Sequence, residues 1–345
     1  MRPMLVHGQT HAPGTEPPTR RTAWIQTAIK IAISSFLLWL VLRPFDPAVL
    51  RAQVANTSLR SLGLPFGIVL LSHLLGALQW GWLVRSSGLD VAGRRLAALY
   101  WAGLFFSNFG IGNIGGDVYK IYALGKREGA LGRVAGATIV DRVIGAAALC
   151  ALALIAAGAA LWHGTIPGPL SLWVLGVSAL TLAAAAVVLH PRVGGEIERF
   201  LQRLPLTSVG DRLVRLLGYL GEYRQRGGVL RGVFLLSLAI QAARVIAHYC
   251  VGLAMGWNLH ASDLGKFFLV IPVLGLLIAL PISIGGWGVR EWAGVALFAP
   301  LGQSGEEAVT LLALTALLAF AISLAGGAVV LLGGMPWVRR SHTAD

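Results

Sequence analysis

The stretch LAALYWAGLFFSNFGIGNIGGDVYKIYALGKREG, residues 96–129, decides how this chain is arranged. Its apolar part, Leu96–Ile111, runs into a glycine-rich break, then an acid at Asp117 and cations at Lys120, Lys126 and Arg127. A helix from Ala97 to Ile111 spans only about 22 Å, short of a hydrocarbon core about 30 Å thick. A full crossing would also carry Lys120, Lys126, Arg127 and Arg133 to the outer face, against the tendency of cations to stay cytoplasmic. The expected path is a re-entrant segment that dips in from the cytoplasm, breaks at GIGNIGGD and returns.

Composition makes a bilayer the solvent. The 345 residues are 56% hydrophobic and 12% charged, where soluble domains carry about 25% charged residues. Mean hydropathy is +0.73. Further apolar runs at Ala23–Leu42, Leu62–Val84, Val134–Trp162, Leu170–Leu189, Val233–Met255 and Leu311–Leu332 approach or exceed the roughly 20 residues of a transmembrane helix. Shorter runs lie at Phe267–Ser283 and Val289–Leu301. None alternates as a barrel strand does, and backbone groups in hydrocarbon must be satisfied within their own segment. The expected fold class is all-α, a polytopic integral membrane protein of about eight helices.

The net charge of +13 sits mainly in the tails and around 192–231. That placement fits cytoplasmic loops beside anionic headgroups, and no recognition motif for nucleic acid accompanies it. Residues 1–22 read as a disordered cytoplasmic tail, 23–335 as the transmembrane domain and 336–345 as a second cytoplasmic tail. The first apolar run is too long and uninterrupted for a cleaved signal. Within 190–231, Ile197, Phe200, Leu201 and Leu204, then Leu213, Leu216, Leu217 and Leu220, recur at helical spacing among arginines. They describe amphipathic helices on the headgroups, with a solvated linker pair as the alternative. Cys150 and Cys250 lie inside apolar runs and read as small core residues.

A second stretch, IGGWGVR at 284–290, shares with IGGDVYK at 114–120 an isoleucine, a glycine pair and a basic residue at one offset. Counting crossings by charge, the second break is approached from outside and both termini are cytoplasmic. Two such motifs with opposite approach describe an inverted repeat, whose substrate site would lie where the broken helices meet. Gly115, Gly116, Gly285, Gly286 and Gly288 would supply the irregular, gating backbone, which survives at that depth only in protein or beside a wet cavity.

Ionisable groups within such segments are functional candidates by default. They are Asp117 and Lys120 after the first break, Asp141 and Arg142 in the next helix, Arg244 and His248 at i,i+4, and Arg290 and Glu291 after the second break. Asn113 in the first break joins them as a polar lining residue. Each has a plainer alternative: Lys120 as a cytoplasmic cation, Asp141 as an interfacial acid, Arg244 and His248 as donors to neighbouring carbonyls. Cations outnumber carboxylates, and with free N–H groups at helix starts they favour an anion, of which a lipid phosphate best suits the apolar flanks. No Walker loop, H-E-x-x-H or G-x-S-x-G occurs, and the histidines are scattered, so neither metal nor cofactor is expected.

GGDVYK, the Asp141–Arg142 pair in ATIVDRVIG and PISIGGWGVRE at Pro281–Glu291 together resemble the membrane region of lysylphosphatidylglycerol synthases and its stand-alone relatives, over about 24–335. The resemblance implies a flippase-like lipid translocase of a bacterial inner membrane, acting on anionic phospholipid or polyisoprenyl-linked lipid, with Asp117, Arg142, Arg290 and Glu291 as residues to test. Asp141 stands where the family more often has Glu, and the aminoacyl-transferring domain is absent. A membrane-embedded transferase on a lipid phosphate, with Asp141 or Glu291 as base, and an accessory partner of a lipid-modifying or glycosyl-transferring enzyme stay open.

Overall fold

The computed structural model describes residues 46–108, 114–164, 168–189, 218–223, 225–279 and 286–333, with Trp39, Arg43, Glu196 and Arg199 besides. Both tails, the first apolar run apart from Trp39, most of the basic 190–231 stretch, and the break residues 109–113 and 281–285, including Asn113 and Gly285, lie outside the described residues.

Every regular element among the described residues is helical. After a short α1 (Pro47–Asn56) come α2 (Gly63–Ser86), α3 (Gly93–Ser107), α4 (Ile114–Gly125) and α5 (Leu131–His163). Then follow α6 (Gly168–Leu189), α7 (Gly227–Ala254), α8 (Leu264–Ala279), α9 (Val289–Phe298) and α10 (Gly305–Gly333). Helices α2, α5, α7 and α10, and the segment Ala261–Ala279 that contains α8, are long and apolar enough to cross a membrane. The chain is an all-α polytopic membrane protein, as its apolar runs require.

The stretch with Arg51 is helical, because Asp46 accepts the Ala48 N–H at 2.8 Å and Pro47 starts α1. Part of the basic stretch packs into protein instead of lying on headgroups. Tyr219 fills the notch left by Gly132 and Gly136, Leu220 is buried, and the Tyr223 hydroxyl donates to the Leu83 carbonyl at 2.8 Å.

One order of elements occurs twice. Helices α2 and α5, of 24 and 33 residues, flank the short α3 and α4; α7 and α10, of 28 and 29 residues, flank the short α8 and α9. Helix α3 packs on α10 and α8 packs on α5, while α2 packs on α7. Exchanging the two sets of four maps the first two contacts onto each other and the third onto itself. Two apolar cores form, one around Trp80, Leu96, Leu124 and Val140 with Val233 of α7, the other around Phe267, Leu274, Phe298 and Leu311 with Ala153 and Ala157 of α5.

Small residues let these helices touch, since lipid offers no hydrophobic drive between them. Gly116 faces the Gly103 carbonyl, and Gly326 and Gly327 face the Trp101 carbonyl and the Phe105 ring. The α2–α7 pair is antiparallel: the Ser58 N–H donates to the Ala254 carbonyl at 3.0 Å at one end, and Arg226 reaches the Ser86 carbonyl at the other.

Gly326→Leu should force α10 off α3 at a cost of about 1–3 kcal/mol, seen as a lower melting temperature in detergent. Gly176→Leu, whose new Cβ meets open space, should melt like the parent. Equal melting of both variants would refute the close contact.

Candidate functional site

Asp117 and Lys120 stand three residues apart on α4 and so share a face. The Asp117 carboxylate takes the Lys120 ammonium at 3.0 Å on one oxygen and the Arg142 Nε of α5 at 2.7 Å on the other. Lys120 is only 6% exposed, which excludes its reading as a solvated cytoplasmic cation. Its ammonium lies 5.0 Å from the Trp80 ring centre and 5.5 Å from that of Tyr100, close enough for ring quadrupoles to replace part of its lost hydration. Gly103 leaves the room its stem needs.

Asp141 precedes Arg142 and so points about 100° around α5 from it. Its carboxylate accepts the Gln79 side-chain N–H at 2.8 Å, and Gln79 in turn accepts the Ser237 hydroxyl at 2.9 Å. Trp80 donates its indole N–H to Thr138 at 3.2 Å. One polar chain thus runs from α5 through α2 to α7. Farther along α7, Gln241 donates to the Gly145 carbonyl at 3.5 Å and accepts from Arg244 at 3.4 Å.

The second break is built differently. Gly286 and Gly288 hold φ of 80° and 82°, a region costly for residues with a Cβ. Glu291, 1% exposed, accepts the Gly288 N–H at 2.7 Å and the Arg290 Nε at 2.9 Å. An acid in the first turn satisfies an orphan donor and suits the positive end of the helix. Arg290 also stacks 4.3 Å from the Trp287 ring centre. By contrast, Gly115 and Gly116 lie inside the first turn of α4, and the contribution of Gly116 is close packing on Gly103.

The fold therefore joins Asp117, Lys120, Asp141 and Arg142 around α2, with Arg244 alongside, and keeps Arg290 with Glu291 as a local pair. His248 lies one turn beyond Arg244 on α7, its Nδ1 2.8 Å from the Arg244 carbonyl. Gln79, Trp80, Tyr100, Ser237 and Gln241 were not anticipated, being scattered through apolar runs. The usable signal was polar spacing: Ser237, Gln241, Arg244 and His248 recur every three or four residues along α7. Among the described residues no group of three or more His, Cys, Asp or Glu is placed to hold a metal ion.

A polytopic helical protein with an ion cluster beside glycine-broken helices defines a class of membrane protein. Residues 27–327 match the lysylphosphatidylglycerol synthase TM region, and the chain belongs to that family. It is also 24% identical over 291 residues to a UPF0104 membrane protein of Pyrococcus horikoshii, an alignment covering 76% of this chain and 83% of that one.

Asp117→Asn strands the buried Lys120 and should cost about 3–5 kcal/mol. Adding Lys120→Met removes the stranded charge and should recover much of the loss in a thermal melt. A double variant no more stable than Asp117→Asn would count against the pair as a structural unit.

Proposed function

We propose that this protein is a lipid translocase that moves an anionic phospholipid, or a polyisoprenyl-phosphate-linked lipid, between leaflets. The observation that carries the reading is the Asp117–Lys120–Arg142 cluster, seated between apolar helices and linked through Asp141 and Gln79 to α7. Ionisable groups in that setting are costly, and they mark substrate or ion pathways. Membership of a family named for a lipid synthase's membrane region agrees with a lipid substrate.

The paired order of helices supports an inverted repeat. Two sets of long, short, short and long helices exchange their partners, α3 with α10 and α8 with α5. In this reading each pair of short helices is a broken, re-entrant element, and the site lies where the two sets meet, as in transporters of this build. The phosphate enters among the cations while the tails stay in lipid. The protein sits in a bacterial cytoplasmic membrane with both termini inside, beside the enzyme that makes or uses the lipid. A transferase on the same site draws less support. Its two candidate bases are already engaged, Asp141 by Gln79 and Glu291 by Gly288 and Arg290.

In proteoliposomes with a fluorescent anionic phospholipid, Arg142→Gln should slow flipping about tenfold, the scale of one lost charged hydrogen bond. Its side chain is 48% exposed, so the fold should survive the change. Flipping at the parent rate would remove Arg142 from the path, and no flipping by the parent protein would reject the translocase.

A further inference from the structure

The ion cluster leaves one cation without a counter-charge. Asp117 serves Lys120 and Arg142, and Glu291 serves Arg290. Arg244, half-buried on α7, meets no carboxylate at ion-pair distance among the described residues; the bond it makes is the long one to Gln241. Counted with the neighbours Lys120, Arg142, Asp117 and Asp141, it makes three cations against two carboxylates. Including Arg290 and Glu291 leaves the same single excess.

Two polar groups missing from the sequence reading lie on α2, which packs against α7, and on α3, which packs against α2. His73 on α2 is 8% exposed, and its Nδ1 has no hydrogen-bond partner. A buried polar atom left so is expensive, and a native structure keeps few of them. Tyr100 on α3 places its hydroxyl against α2 at Gly76, where any Cβ would overlap it. Gly76 lies three residues beyond His73, so the ring and the hydroxyl share one face of α2. Helix α2, which carries His73, packs along α7, which carries Arg244.

Their depths agree. His73 is ten residues from the start of α2, and Arg244 is ten residues from the end of α7. The Ser58–Ala254 bond ties those two ends together. Both residues thus stand about 15 Å in, close to the middle of a hydrocarbon core about 30 Å thick.

We infer that His73, Tyr100 and Arg244 form the seat of the lipid phosphate, and that this phosphate is a diester carrying one negative charge. The inference rests on the translocase reading above and deepens it. The Arg244 fork can donate two N–H groups to phosphate oxygens. The Tyr100 hydroxyl donates a third bond, and neutral His73 in the Nδ1–H tautomer a fourth. A phosphodiester cancels the single surplus charge. A phosphomonoester or diphosphate brings at least one charge more, which at this depth has nothing to balance it.

Binding is tested with the full chain in detergent at about pH 8, where a phosphomonoester holds two charges. The probes are phosphatidylglycerol, phosphatidic acid, diacylglycerol and inorganic phosphate, with thermal shift and native mass spectrometry as readouts. Phosphatidylglycerol should bind about tenfold tighter than phosphatidic acid or diacylglycerol. His73→Phe and Tyr100→Phe should each lose about tenfold in that affinity, whereas His73→Gln, which keeps a donor, should retain most of it. Tyr100→Phe removes only one oxygen and keeps the test open if His73→Phe misfolds.

Equal affinity for the diester and the monoester, or parental affinity in both Phe variants, overturns the inference. Saturation by inorganic phosphate overturns its lipid part. If the parent protein flips phosphatidylglycerol and the Phe variants flip it as fast, this seat falls and the translocase reading stands. If the parent protein neither binds nor flips any of these lipids, both fall together.

Discussion

A carboxylate held between two cations, among helices too apolar for water, is the contact on which the arrangement of α4 depends. Lys120 is almost wholly buried, and a lone ammonium there would cost several kcal/mol even after relaxation, on the order of the usual penalty for a buried ion. Asp117 removes that cost only if Arg142 shares it without pulling it away, and the two oxygens divide the work at 3.0 and 2.7 Å. The Asp117–Arg142 pair joins α4 to α5, while Gly103 and Gly116 let α3 and α4 approach closely and Gly103 leaves room for the Lys120 stem.

The cluster then sets what α2 must carry. Trp80 and Tyr100 face the ammonium, and Gln79 turns the other way to serve Asp141 and Ser237. An amide in that place donates with one end and accepts with the other, which a hydroxyl or a second acid could not do as well across both neighbours. Polar groups on α5, α2 and α7 are thereby satisfied in series.

How far the sequence could be read divides along the same line. The apolar runs marked α2, α5, α7 and α10 because hydrocarbon demands length and hydrophobicity, and both are visible in the residues themselves. Asp117 and Arg142 stood out since charge is rare in such runs. Their pairing did not, because it depends on α4 turning back against α5. Gln79, Tyr100 and His73 were overlooked for a different reason: neutral polar residues inside an apolar run carry little weight until a partner on another helix is known. Tyr219 is similar, as the notch it fills is formed by two glycines on α5 far away in sequence.

The two glycine breaks look alike in sequence and do different work. After the first, the acid of α4 pairs with Arg142 on α5, and a polar chain from the neighbouring Asp141 continues through α2 to α7. After the second, Arg290 and Glu291 satisfy each other and the start of α9, with Trp287 stacked outside. The order of helix lengths occurs twice among the described residues, yet the chemistry does not. In the translocase reading proposed above, one charged headgroup needs an excess cation on one side of the pair only, and a second copy of the cluster would add a charge with nothing to cancel it. In the second set Glu291 caps the start of α9, and Gly286 and Gly288 hold the turn at positive φ.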